Sequence, residues 1–112
     1  MIECVKATTW VPVSVTKAGS SVLSDFSSFK ITFDAAATGG QIITGPTNPE
    51  TKTVTYSVGE NAITVTGGLT GWSTTLVTAS TNGDACSEFK FTVNITNPKT
   101  GAADYAFVLK KQ

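Results

Sequence analysis

Apolar and polar residues take turns along most of this chain. Phe29, Ile31 and Phe33 alternate with Ser28, Lys30, Thr32 and Asp34, so an extended segment there presents one oily face and one wet face. The same period of two recurs at Val11, Val13 and Val15, at Val54, Tyr56 and Val58, and at Ile63 and Val65. It returns at Phe89, Phe91, Val93 and Ile95, and again at Tyr105, Phe107 and Leu109. No stretch of useful length repeats at the spacing of an amphipathic helix. Turn-forming clusters separate these runs: 17–20, 38–40, 45–49, 59–61, 66–68, 82–84 and 97–101. Gly, Pro, Asn and Asp dominate them, each for its own backbone reason. Their recurrence every roughly 8 to 15 residues is that of an all-β sandwich or barrel, not of βαβ units.

The pattern predicts strands near 2–8, 10–16, 27–34, 40–44, 52–58, 62–66, 73–79, 87–96 and 103–110. One apolar face per strand must be covered by another sheet or by closure of the sheet on itself. The expected arrangement is a single domain over residues 1–112, an antiparallel two-sheet sandwich. Pro12 lacks the amide hydrogen a ladder needs, which places its segment at a sheet edge. Residues 89–96 and 103–110, joined by Asn97-Pro98-Lys99-Thr100-Gly101, predict a terminal hairpin. Trp10 has the opposite parity to Val11, Val13 and Val15, so it either faces outward or belongs to a bend before the strand.

Composition narrows the field. Thr occurs 20 times and Ser 10 times, while charged residues make up 14% of the 112 residues; hydroxyls thus replace much of the usual surface charge. All eight basic residues are Lys, balanced by eight Asp and Glu. A neutral chain without Arg lacks the phosphate-neutralising charge and bidentate base contacts of nucleic-acid binders, and a polybasic membrane patch as well. Neither nucleic acid nor membrane insertion is expected. The start of the chain has neither the basic nor the apolar region of a secretory signal. Cys4 and Cys86 allow one pairing, a disulfide between the first segment and a late loop, and two reduced thiols are the equal alternative.

Catalytic chemistry is sparse. There is no His, which removes the commonest general base, nucleophile partner and metal ligand. Asp25, Asp34, Asp84, Glu88 and Asp104 are the carboxylates that a glycosidase-like pair would draw on; each sits beside a turn or on a polar face, which favours plain solvation. Asn82-Gly83-Asp84 reads as a tight turn before it reads as a calcium loop. Neither a metal nor a cofactor is expected, and the Gly39-Gly40 pair is a connection, not a phosphate cradle. Trp72, in the loop-like run Gly67-Gly68-Leu69-Thr70-Gly71-Trp72, and Trp10 are the candidate ligand platforms, since an exposed indole stacks on a sugar ring. Asn94-Ile95-Thr96 matches a glycosylation acceptor on a polar face, a pattern that arises easily in a Thr-rich chain.

The short alternating strands are similar to immunoglobulin-like sandwiches in general architecture. The Cys, Trp and Cys landmarks of antibody domains are out of place, with Cys4 too early and Trp72 too close before Cys86, so this likeness implies no function. The expected role is a non-catalytic structural or assembly module displayed on a virion or a cell surface: a phage capsid decoration or tail component, a pilus subunit, or a surface-layer protein. Its partners would be protein subunits, its own kind or others. The alternative is a carbohydrate-binding module using Trp72 and Trp10, with a glycan as ligand.

Overall fold

The structure is a computed structural model, described over residues 2–44, 49–67, 70–99 and 101–112. The chain opens with a single helical turn, Ile2–Val5, where a strand was expected. Among the described residues nine strands follow: β1 (Thr9–Lys17), β2 (Ser20–Ser21), β3 (Lys30–Phe33), β4 (Gly39–Thr44), β5 (Glu50–Val58), β6 (Ala62–Thr66), β7 (Thr75–Thr81), β8 (Glu88–Asn97) and β9 (Gly101–Lys111). Two short 3-10 turns, Leu23–Phe26 and Gly83–Ala85, interrupt them. The predicted turns at 45–49 and 66–68, and Thr100, fall partly or wholly outside the described residues.

The two-sheet, immunoglobulin-like sandwich is overturned. Each long strand pairs antiparallel with its neighbour in sequence, from β3 through β9, and β1 pairs with both β3 and β9. Eight strands therefore close into one antiparallel up-and-down barrel, with β2 a two-residue flap on the end of β1. The physical reason is that, among the described residues, no strand is left over to found a second sheet. Closure leaves no strand of the barrel with a wholly free edge, although the β1–β3 seam is paired over only two residues, and eight strands enclose a space just wide enough for side chains to fill.

That filling is aromatic. Trp10, Phe29, Phe89, Phe91 and Phe107 are among the largest fully buried side chains, with centroids of Phe91 and Phe107 at 4.9 Å and of Trp10 and Phe89 at 5.5 Å. Smaller residues complete the packing, including Ile31, Ile42, Ile63, Leu76 and Leu109. Fully burying such a side chain contributes roughly 1.5–3 kcal/mol. Tyr56 is the polar exception in this layer, and its hydroxyl donates to the Thr32 carbonyl at 2.9 Å. Gly40, opposite Phe33 in the β3–β4 ladder, admits no side chain, because a Cβ there would run into the Thr32 carbonyl.

Both ends are stoppered. At one end, the N-terminal turn drops Val5 into the core, and a disulfide joins Cys4 to Cys86 with Cα atoms 5.0 Å apart. At the other, Phe26 packs edge-on against Phe107 and Tyr105, and Trp72 stacks on Phe29.

Two strands break the simple alternation. In β1 the inward residues are Trp10 and Val15, an odd step apart, and the register with β9 shifts between Pro12 and Ser14. Val13 is the inserted residue and is 49% exposed. The outward reading of Trp10 thus fails, because a bulge reverses parity within the strand. In β7, Leu76 and Ala79 face inward around a shift between Val77 and Ser80, where Thr78 adopts a left-handed φ of 49°.

Candidate functional site

The barrel wall is uneven. The β8–β9 ladder runs unbroken through ten register pairs, from Glu88↔Lys110 to Asn97↔Gly101, whereas β1 and β3 share only Thr9↔Thr32 and Trp10↔Ile31. Continuing that register brings Pro12 opposite Phe29. Pro12 has no N–H to give, and the Phe29 amide is donated instead to the Phe26 carbonyl at 3.0 Å. The rung is not made, the strands part, and β1 regains a partner on that side at Val15, whose carbonyl accepts the Val22 amide at 2.8 Å, and at Thr16, opposite Ser21. The expected sheet-edge position of the Pro12 segment is corrected: β1 lies between β3 and β9, Pro12 pairs with Leu109 of β9, and only its other side lacks a rung.

The 3-10 turn Leu23–Phe26 lies beside this gap without filling it. What remains is an open groove of about 470 Å³, within the range of ligand-binding clefts. Its apolar surface comes from Val11 and Pro12 on β1, Leu23 on the turn, and Phe29 just before β3. Polar character comes from Ser24, Ser27 and Lys30. Lys30 is half-buried on the outward face of β3, opposite Val11 in the continued register. Among the described residues no carboxylate forms an ion pair with it, unlike Lys6, Lys52 and Lys90, which pair with Glu3, Glu50 and Glu88.

The residues singled out from sequence do not converge here. Trp10 is fully buried and offers no platform, a correction that follows directly from the β1 bulge. Its indole N–H is buried without a hydrogen-bond partner among the described residues. Trp72 is half-buried, with one face parallel to Phe29 at 6.0 Å and the other ring contact at Phe107; it is a stopper more than a shelf. The carboxylates are dispersed. Asp25 is exposed on the turn, Glu88 pairs with Lys90, and Asp104 accepts from Asn94 Nδ2 at 2.9 Å. Asn94, the glycosylation candidate, is thus exposed but held across the hairpin.

Asp34 organises a loop. Its Oδ1 accepts the amides of Thr38 and Ala36 at 3.0 and 3.1 Å, and these bonds, that from Thr38 foremost, hold its carboxyl below the ordinary aspartate range. Burial, with the charge of Asp34 as a smaller influence, pushes the Tyr56 phenol well above its usual value. In Asn82-Gly83-Asp84, Asn82 Oδ1 accepts the amides of Ser87 and Glu88, and its Nδ2 donates to Ser87. The Asn side chain is spent on the turn, and only Gly83 of the pair takes a positive φ. Among the described residues no three His, Cys, Asp or Glu side chains gather as metal ligands.

No protein family, curated protein or solved structure matches this chain. The expected placement on a virion or phage particle therefore gains no support from relatives. The groove was missed in the sequence because Val11, Val13 and Val15 read as one face; the signal available was Pro12 inside an apolar alternation, followed at a distance by the Leu23/Phe26 spacing of a single helical turn.

Proposed function

We propose that this chain is a non-catalytic structural module that works by protein–protein contact on its outer surface, as part of a larger assembly outside the cell or at its surface. The observation that supports this most is the solid interior. Aromatic side chains occupy the space in which a ligand-carrying barrel would hold its cargo, so the working surface is the exterior. That exterior is hydroxyl-rich, nearly neutral and broken at one seam. The Cys4–Cys86 disulfide supports an oxidising setting. The carbohydrate reading has less to draw on, since Trp10 is buried and one face of the half-buried Trp72 packs on Phe29.

Crosslinking mass spectrometry in the native source tests the proposal. The expected result is lysine crosslinks to protein neighbours at fixed stoichiometry, with no retardation of the purified chain in polysaccharide gels. A chain that stays monomeric and uncrosslinked, or that is retarded by a polysaccharide, would overturn it.

A further inference from the structure

We infer that the groove at the β1–β3 seam seats an extended segment of a partner polypeptide, with an apolar side chain against its floor and a neighbouring carboxylate at Lys30; this rests on the assembly reading above. The first argument is charge complementarity. Lys30 is half-buried at the rim of an apolar groove and has no carboxylate partner among the described residues, so an incoming acid meets a cation that other contacts have not neutralised. Shape is the second. Val11, Pro12, Leu23 and Phe29 make an apolar surface for one side chain of Leu or Val size, and the hydroxyls of Ser24 and Ser27 lie beside it.

The third argument is the broken ladder. Among the described residues no strand pairs with β1 on this side between Trp10 and Val15, whose carbonyl accepts the Val22 amide, and the bulged Val13 is exposed. An extended chain laid along this rim presents every second side chain to it. An apolar residue and an acid two positions apart therefore face the groove together, whereas adjacent ones do not. Pro12 creates the opening and also keeps the barrel's own β3 from closing it.

The test is an amide-resolved NMR titration of the intact protein with acetyl-Thr-Leu-Thr-Glu-Thr-amide, its Glu-to-Gln counterpart, and decanoate as a lipid-like probe. The expected result is shifts confined to Val11, Val13, Leu23, Phe29 and Lys30. Binding should weaken about threefold to fivefold for the Gln peptide, and equally for the acidic peptide on Lys30→Gln protein. Lys30→Gln leaves the core untouched, and its spectrum reports folding directly. Shifts scattered over the surface, equal affinity for the two peptides, or a groove that responds to decanoate alone would overturn the inference. If the peptide is silent while native crosslinks run from lysines elsewhere, such as Lys52 or Lys90, the groove inference falls and the assembly reading stands.

Discussion

The wall of this barrel can be compared with itself. From β8 through β9 to β1 the strands are laced by long ladders, and aromatic residues beneath them pack ring against ring. From β1 to β3 there are two register pairs and then a gap. Both flanks contribute to one core, and both carry alternating sequences. The difference lies in one missing amide hydrogen at Pro12 and in a helical turn that takes the Phe29 amide. A closed barrel thus tolerates a local opening when the interior behind it is solid, because packing, and not the last few rungs, holds the wall together.

The comparison breaks most visibly if the laced flank is hollowed. Phe107→Ala should cost about 3–5 kcal/mol in urea unfolding, since Phe107 is fully buried and touches Phe91, Phe29, Phe26 and Trp72. A loss below that of an exposed position would mean that the plug is not what supports the wall. Removing the disulfide with Cys4→Ser and Cys86→Ser together releases a cross-link spanning 82 residues. The chain-entropy account puts that loss at about 4.5 kcal/mol, and thermal unfolding of the double variant checks it.

Smaller effects are expected nearer the seam. Tyr56→Phe deletes the bond to the Thr32 carbonyl on β3 and should lower stability by about 1 kcal/mol. Pro12→Thr restores an N–H at the broken rung. It should change stability by less than about 1 kcal/mol while narrowing the groove, seen as new amide protection at residue 12 in hydrogen exchange. Asp34 sharpens the account by pH. Its carboxyl titrates below the ordinary range when folded, so its contribution is complete above the unfolded aspartate pKa of about 3.9 and is lost as pH falls through the lower folded value. Asp34→Asn should flatten that acid limb of the stability profile, and an unchanged limb would refute the assignment.

Much of the fold was legible. The alternation at Phe89, Phe91 and Val93 and at Phe107 and Leu109 marks residues that are indeed buried, and the terminal hairpin lies where its turn residues placed it. Closure was not legible. A period of two is the same for a strand in a sandwich and a strand in a barrel, and the deciding contact, β1 with β9, joins the two ends of the sequence. The site was hidden for a related reason. A bulge at Val13 costs the pattern one residue of phase, so Trp10 reads as outward or as part of a bend when it is a fully buried core residue of β1. The helical turn at Ile2–Val5 is too short for periodicity to register.

Cross-strand nuclear Overhauser contacts from β1 to both of its neighbours test the architecture most directly. A closed barrel predicts contacts between Val15 and Phe107 and between Trp10 and Ile31 in the same molecule. If the Trp10–Ile31 contacts are absent while those of Val15 and Phe107 persist, the sheet is open at the seam and the closed barrel is wrong.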